Sequence, residues 1–156
     1  MKTIPLTQHK SALVDDEDYE WLNQWKWCAR LKPSGQCYAV RVKQVNGTKR
    51  LIRMHRLILG AKQNQQVDHI DHNGLNNTRK NIRLCTASEN QWNRRKLKSA
   101  TSKYKGVRLD DGRWRAQISH NGQTKQLGSF STEEEAAKAY NEIAKQRGKF
   151  AKLNDV

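Results

Sequence analysis

The sequence lacks the features of a membrane protein or a disulfide-linked protein. No segment approaches the roughly 18 apolar residues of a transmembrane helix, and the start, Met-Lys-Thr-Ile-Pro-Leu-Thr-Gln, has no apolar signal core. The three cysteines, Cys28, Cys37 and Cys85, are widely spaced and form no Cys-x-x-Cys pair. We therefore expect a cytoplasmic protein with reduced core thiols, no disulfide framework and no structural zinc.

Acidic residues are scarce relative to basic ones. The 156 residues include 30 Lys and Arg but 15 Asp and Glu, a formal net charge of +15 at pH 7. Basic residues outnumber acidic ones 11 to 5 in residues 1–60, 8 to 3 in 61–98 and 11 to 7 in 99–156. A positive excess spread over the whole chain favours nucleic acid as the partner. A membrane surface is the weaker alternative, because no helix combines a wide apolar face with a lysine-rich back.

The first sixty residues predict a small sheet with two short helices. Asn46-Gly47 between two β-rich runs is a strong hairpin signal, because both residues tolerate the positive φ of a type I′ turn. Trp21, Trp25 and Trp27 are expected to fill the core of this block. The predicted elements are a strand at 12–14, a helix at 19–22 behind the acidic run 15–18, strands at 37–42 and 49–53, and a helix at 54–59 that ends at Gly60.

The pattern of the second block, residues 67–98, predicts a strand, a polar loop, a second strand and a helix. The strands are predicted at 67–70 and 82–85. Thr86 and Glu89 match a capping box, so a helix is expected to begin at Ala87 and to run through Arg95. Folding these elements together would bring Asp68, His69 and Asn90 to one point.

These three side chains suit metal-assisted hydrolysis. A carboxylate and an amide oxygen are hard ligands that fit Mg²⁺, which completes its shell from water and a substrate phosphate. A neutral imidazole beside the ion can take a proton from an attacking water. The block therefore predicts a phosphodiester hydrolase.

Three runs in this block also carry a family resemblance. They are Val-Asp-His-Ile-Asp-His-Asn-Gly-Leu-Asn-Asn at 67–77, Lys-Asn-Ile-Arg-Leu-Cys-Thr at 80–86 and Ser-Glu-Asn-Gln at 88–91. Together they resemble the HNH (ββα-metal) endonucleases, in the variant with Asn at the last position found among phage and intron-encoded homing endonucleases. The resemblance covers roughly residues 54–95.

The resemblance implies a role for each motif residue. His69 would be the general base, Asp68 and Asn90 the metal ligands, and Asn81 the central Asn that pins the loop and orients His69. His55 and His72 match no essential position and are expected to be structural or near the site. The implied cofactor is one divalent ion, Mg²⁺ or alternatively Mn²⁺, and the implied products are a 5′ phosphate and a 3′ hydroxyl.

The last block predicts a three-stranded sheet covered by one helix. Residues 96–102 lack periodicity and are interpreted as a linker. The strands are expected at 105–109, 113–119 and 124–130, with turns at Asp111-Gly112 and Asn121-Gly122, and the helix is expected to follow a cap at Ser131 or Thr132 and to end at Gly148. Along the middle strand, apolar and polar residues alternate, so one face of the sheet is bare and carries the arginines.

Several runs in this block resemble the APETALA-type (ethylene-response-factor) DNA-binding domain over about residues 102–154. They include Tyr-Lys-Gly-Val-Arg at 104–108, Gly-Arg-Trp-Arg-Ala-Gln-Ile at 112–118, Leu-Gly-Ser-Phe at 127–130 and Glu-Glu-Ala-Ala-Lys-Ala-Tyr at 134–140. The resemblance implies that the sheet enters the major groove. The side chains it assigns to bases and phosphates are Arg108, Arg113, Arg115, Gln117 and Gln126.

The sequence as a whole predicts an α+β protein. Residues 1–98 would form a ββα-metal nuclease core with an N-terminal antiparallel sheet extension that binds flanking duplex. Residues 99–156 would form a three-stranded antiparallel sheet packed on one helix. The predicted function is a site-specific homing endonuclease of a phage or bacterial mobile element. It would act on double-stranded DNA as a monomer in a bacterial or phage-infected cell, without a small-molecule cofactor. Two alternatives stay open: a DNA-binding regulator with an inactive nuclease remnant, and a protein that binds or cuts RNA.

Overall fold

The computed structural model describes residues 1–96, 100–120 and 122–156, and it has the mixed α+β fold that the sequence predicts. The chain divides into two compact units, Met1–Cys85 and Thr86–Val156. The strands are β1 Lys2–Pro5, β2 Ser11–Val14, β3 Cys28–Leu31, β4 Cys37–Val45, β5 Thr48–Arg53, β6 Gln66–His69, β7 Ile82–Cys85, β8 Val107–Asp110, β9 Arg113–His120 and β10 Gln123–Phe130. The helices are α1 Asp16–Asn23, α2 Met54–Ile58, α3 Ala87–Trp92 and α4 Glu133–Lys145, followed by a 3-10 turn at Gly148–Phe150.

The first unit contains three small antiparallel sheets, β1-β2, β3-β4-β5 and β6-β7. The β4–β5 hairpin turns at Asn46 and Gly47, whose φ angles are +48° and +75°. These positive values explain why the turn needs these two residue types. The N-terminal sheet extension is therefore present, built as two sheets rather than one.

One hydrophobic core holds the first unit together. Its centre includes Leu22, Trp27 and Met54, which are 3% exposed or less. Trp21 and Trp25 are partly buried and pack against this core, with the Trp25 ring edge-on to its neighbours. The prediction that the tryptophans fill this core is therefore confirmed.

The prediction of three core thiols is right for one cysteine. Cys85 is buried at the end of β7, whereas Cys37 is half-buried and Cys28 is exposed on β3. Cys28 is the first residue of β3, a strand that the sequence pattern did not indicate. Its side chain is exposed and is not part of the core.

The second unit is a β10-β9-β8 sheet with α4 packed on one face. Ala116 and Ile118 of β9 are buried against α4, as the alternating pattern predicts. Thr132 and Glu135 form a capping box at the start of α4. The helix ends at Lys145, before the predicted stop at Gly148, and Gly148 begins the 3-10 turn with a φ of +58°.

Several boundaries differ from the sequence predictions. β1 and β3 were not predicted, because each is stabilised by pairing with another strand rather than by a local signal. The predicted capping box of α3 is present, but the helix ends at Trp92 instead of Arg95, since Asn93, a poor helix former, caps it. Residues 97–99 of the predicted linker and Asn121 of the predicted turn lie outside the described residues.

The described residues include no helix with the length and apolar character needed to cross a bilayer.

Candidate active site and nucleic-acid interface

The imidazole of His69 lies at the end of β6 and is 6% exposed. Two aromatic side chains pack against it. The ring centroid of His55, on α2, lies 4.9 Å away and that of Tyr38, on β4, lies 5.8 Å away. Both contacts are edge-on, so the ring of His69 is held in a fixed plane by elements from two different parts of the unit.

Asn77 fixes the protonation of this ring. Its Oδ1 lies 3.0 Å from His69 Nε2, while its Nδ2 donates to Leu75 O at 3.5 Å and to Met54 Sδ at 3.4 Å. The amide nitrogen therefore points away from the imidazole, and the amide oxygen accepts the Nε2 proton. This arrangement makes Nδ1 the basic nitrogen of neutral His69.

The surroundings also keep His69 neutral. Burial lowers the pKa of His69, and the hydrogen bond to Asn77 and the carboxylates of Asp71 and Asp68 offset part of that shift. A neutral imidazole is the form that can accept a proton at neutral pH.

Asp68 lies next to His69 on β6 and is also 6% exposed. Its partner in the β6–β7 register is Arg83, whose Nε and Nη2 donate to Asp68 Oδ2 at 3.0 and 2.7 Å. The arginine compensates the negative charge of this buried carboxylate.

Asn81 holds the loop between the two strands together. Its Nδ2 donates to Asp71 Oδ1 at 2.9 Å and to Asn76 O at 2.7 Å, and its Oδ1 accepts from the Asp71 backbone at 3.1 Å. His72 lies in the same loop with a φ of +64°. Asn77, which hydrogen-bonds the imidazole of His69, was not among the predicted site residues.

The N-terminal elements hold this loop from outside. Leu13 of β2 exchanges backbone hydrogen bonds of 2.8 Å with Leu75 and Asn77. Arg79 donates to both carboxylate oxygens of Asp18 on α1, at 2.7 and 2.8 Å, and Asp18 is 1% exposed. The loop is therefore anchored to residues more than sixty positions earlier in the chain.

The residues predicted to bind metal have suitable chemistry. Asp68 offers a buried carboxylate and Asn90 an amide oxygen, which are hard donors that fit Mg²⁺ or Mn²⁺ better than a soft metal. Across residues 1–96, 100–120 and 122–156, no cluster of three or more His, Cys, Asp and Glu side chains could hold a metal ion. An ion with these two ligands would complete its shell from water and a substrate phosphate.

Asn90 lies in α3, within the second unit, so its meeting with Asp68 stays a prediction. The end of α3 is tied to the remainder of this unit through Trp92. The Trp92 carbonyl accepts from Lys105 Nζ at 2.6 Å and from the Lys152 backbone at 3.3 Å, and the Arg147 guanidinium lies 4.9 Å from the Trp92 ring. The helix that carries Asn90 is thus packed against the module that follows it.

The sheet of the second unit brings together the five residues predicted to face DNA. In the strand register, Arg108 lies opposite Arg115, and Gln117 lies opposite Gln126. Arg113 shares their face through the two-residue period of β9. All five lie on the face that α4 leaves uncovered.

Acidic side chains partly neutralise this face. Arg108 and Arg115 both contact Asp110 Oδ2, at 3.3 and 3.2 Å, and Arg115 also lies 3.8 Å from Asp111. Gln126 Nε2 donates to Gln117 Oε1 at 3.2 Å. These contacts hold the side chains of the exposed face in place, and contacts with a nucleic acid could replace them.

Comparisons with known proteins agree with this geometry. The HNH endonuclease family model matches residues 54–92, and the AP2 domain model, the APETALA type, matches residues 102–149. A protein of Acanthamoeba polyphaga mimivirus named as an uncharacterized HNH endonuclease is 44% identical over 92 residues, 58% of this chain and 47% of that relative. Protein 3.8 of Escherichia phage T7 is 35% identical over 89 residues, 56% of this chain and 74% of that relative. No solved structure matches significantly.

The chain therefore carries an HNH endonuclease domain and, after it, an AP2 domain. It spans about half the length of the mimivirus relative.

Proposed function

We propose that this protein is a metal-dependent endonuclease that hydrolyses phosphodiester bonds of double-stranded DNA. The match to the HNH endonuclease family model, the AP2 domain and the net charge of +15 support this substrate. The observation that carries the proposal is the buried imidazole of His69, which Asn77 holds beside the buried carboxylate of Asp68.

His69 acts as the general base in this proposal. Its Nε2 proton is engaged by Asn77, so its Nδ1 takes a proton from the attacking water. Asn77 positions the imidazole, and Asn81 positions the loop that carries Asn77. The water oxygen bonds to the phosphorus and the bond to the 3′ oxygen breaks. That oxygen takes a proton from solvent, so the products are a 5′ phosphate and a 3′ hydroxyl.

Asp68 and Asn90 would hold the divalent ion, and Mg²⁺, or alternatively Mn²⁺, fits their oxygen donors. When bound, the ion supplies electrostatic stabilisation to phosphate oxygens as negative charge builds in the transition state. Arg83 keeps the Asp68 carboxylate in place at the end of β6.

The AP2 domain positions the nuclease on its substrate. Arg108, Arg113, Arg115, Gln117 and Gln126 would contact bases and phosphates from the uncovered sheet face. A bidentate arginine–guanine pair discriminates by about 1–3 kcal/mol. A tethered second binding site also raises the local concentration of DNA at the first.

The biological role that we propose is a site-specific homing endonuclease of a phage or bacterial mobile element. It would work as a monomer in the cytoplasm of a bacterial or phage-infected cell. The similarity to a phage T7 protein and the Asn variant of the HNH motif support this role.

A plasmid-nicking assay tests the proposal. The purified protein should nick supercoiled DNA with Mg²⁺ and be inactive with chelator, and mapped products should carry 5′ phosphates. His69→Ala should lower the rate about 10²- to 10⁴-fold and keep duplex binding within a few fold. His9→Ala, which removes an exposed histidine, is the matched control.

Undiminished cleavage by His69→Ala would contradict the mechanism. Tight duplex binding without cleavage by the wild-type protein would instead identify a DNA-binding regulator with an inactive nuclease. Paired binding assays with DNA and RNA duplexes of one sequence show which of the two polymers the protein binds.

A further inference from the structure

A groove of about 160 Å³ opens on the β3-β4-β5 sheet of the first unit. Tyr38 and Val40 of β4 line it, and Arg30, Lys32 and Arg53 surround it. Since liquid water occupies about 30 Å³ per molecule, the groove has room for about five waters or a solvated phosphate group.

The charge of this groove is unbalanced. Arg30, Lys32 and Arg53 are exposed, and in the described part of the chain none of them has an ion-pair partner. No acidic side chain lines the groove. Three cations that converge on one small space repel one another, and an anion in that space would relieve the repulsion.

The groove adjoins the candidate active site through Tyr38. Lys32 Nζ lies 4.8 Å from the centre of the Tyr38 ring. The same ring lies 5.4 Å from that of His55 and 5.8 Å from that of His69. One aromatic side chain therefore belongs both to the cationic groove and to the wall around the imidazole.

These distances are short enough for one nucleic-acid strand to reach both places. Along one strand of duplex DNA, successive phosphates advance by about 3.4 Å along the helix axis. A phosphate bound in the groove, one ring beyond His69, would therefore lie within a few nucleotides of a phosphate at His69. Arginine is also well suited to hydrogen-bond a phosphate with two donors.

We propose that Arg30, Lys32 and Arg53, over the floor formed by Tyr38, bind a backbone phosphate of the cut DNA strand within a few nucleotides of the scissile bond. The proposal rests on the proposed nuclease function, because that function places the scissile phosphate at His69. It gives the N-terminal sheet a specific task, which is to set the register of the strand in the active site.

Binding to duplexes with single neutral linkages tests this groove. Each duplex contains the mapped cut site and one methylphosphonate in place of a phosphate, and binding is measured with the full-length protein in chelator. One neutral position near the cut should weaken wild-type binding about tenfold, the value expected for one lost charged hydrogen bond. The same position should have less than a twofold effect on Arg53→Ala and on Arg30→Ala.

Arg50→Ala is the matched control. Arg50 lies on the same strand as Arg53, but the register places it on the opposite face of the sheet. This variant should remain as sensitive as the wild type to the neutral linkage. Equal sensitivity of Arg53→Ala, Arg30→Ala and the wild type at every position would overturn the groove and leave the nuclease proposal standing.

A second measurement covers the case in which no cleavage is found. The affinity for a random duplex is measured at increasing salt, and log K is plotted against log salt. The slope for Arg53→Ala should be shallower than that of the wild type by about one, as expected for one lost phosphate contact. A slope unchanged in Arg53→Ala would overturn the groove. A reduced slope without cleavage would support the groove as a phosphate site while the nuclease proposal fails.

Discussion

The two units of this protein place their polar side chains in opposite ways. The first unit buries the polar groups of its candidate active site, and the second displays its predicted DNA-contacting groups on an open sheet face. The buried set is Asp18, His55, Asp68, His69, Asn77 and Asn81, all at most 7% exposed. The displayed set is Arg108, Arg113, Arg115, Gln117 and Gln126, none of which is buried.

This difference follows from what each region has to do. A reacting group needs a fixed orientation and a dry environment, in which electrostatic interactions are strong. A surface that binds DNA must give up its internal contacts and form contacts with the DNA instead. It therefore stays exposed to water, where each internal contact is weak. Substitutions and pH changes should therefore have large effects in the first unit and small effects in the second.

Acid should have the largest effect on stability. Burial first, then His69 and nearby cations, lowers the pKa of His55 to about 3 from an ordinary value of 6.5. The stability that neutral His55 contributes is therefore complete above pH 6.5 and is lost as the pH falls towards 3. We expect the free energy of unfolding to decrease on the order of 4 kcal/mol over this range, measured by urea unfolding with tryptophan fluorescence.

Variants at two histidines identify the source of that acid sensitivity. His55→Leu should flatten the pH dependence substantially, and His9→Leu, at an exposed histidine, should leave it unchanged. Identical pH dependence in wild type and His55→Leu would show that His55 does not stay neutral in the folded state.

Loss of the Asn77 amide should have the next largest effect, on the chemical step. Asn77→Ala removes the acceptor that orients His69, so we expect kcat to fall about 10- to 100-fold, the usual cost of a lost orienting contact, with little change in KM. Asn77→Asp keeps the acceptor oxygen but sets a second oxygen against the Leu75 carbonyl, so it should recover only part of kcat. In contrast, Gln126→Ala on the open sheet should raise KM and leave kcat unchanged, as steady-state kinetics can measure.

The opposite pattern would contradict this difference between the two units. A rise in KM without a loss of kcat in Asn77→Ala would mean that Asn77 serves binding rather than orientation.

The ion pair between Arg79 and Asp18 should have a moderate effect on stability. Arg79→Met leaves a carboxylate that is 1% exposed without its bidentate partner. Because the Arg79 side chain is 46% exposed, solvent screens part of the loss, and we expect about 2 kcal/mol of destabilisation. Lys80→Met, an adjacent exposed change, should cost less than about 0.5 kcal/mol in the same urea titration. Equal effects of the two variants would contradict a structural role for the pair.

Neutralisation of Asp110 should have the smallest effect, and it should be a gain. Asp110→Asn releases Arg108 and Arg115 from a surface ion pair of at most about 1 kcal/mol, so duplex affinity should rise roughly threefold. Stability should be nearly unchanged. Fluorescence anisotropy measures the affinity, and Asp155→Asn is the control for the change of one charge. Unchanged affinity in Asp110→Asn would mean that this face does not meet DNA.

Local chemistry explains which parts of the fold could be predicted from the sequence. The hairpin at Asn46 and Gly47, the capping box at Thr86 and the helix cap at Thr132 depend on neighbouring residues, and all three are present. The alternation along β9 also depends on spacing within one strand, and it separates the buried from the displayed face as predicted.

Contacts between distant residues explain what was missed. Asn77 resembles an ordinary turn residue in the sequence, and its role depends on Met54, which lies 23 positions earlier. The pairing of Asp18 with Arg79 spans 61 positions and has no local signature. The meeting of Asp68 with Asn90 stays a prediction, because it too depends on tertiary structure.

The backbone hydrogen bonds between β2 and the loop that carries Asn77 have a consequence for protein engineering. The family motif spans residues 54–92, yet Leu13 and Asp18, which secure its loop, lie far outside that segment. A transplant of the motif alone into another scaffold would omit these supports. A functional graft has to include the first two strands and the first helix along with the signature itself.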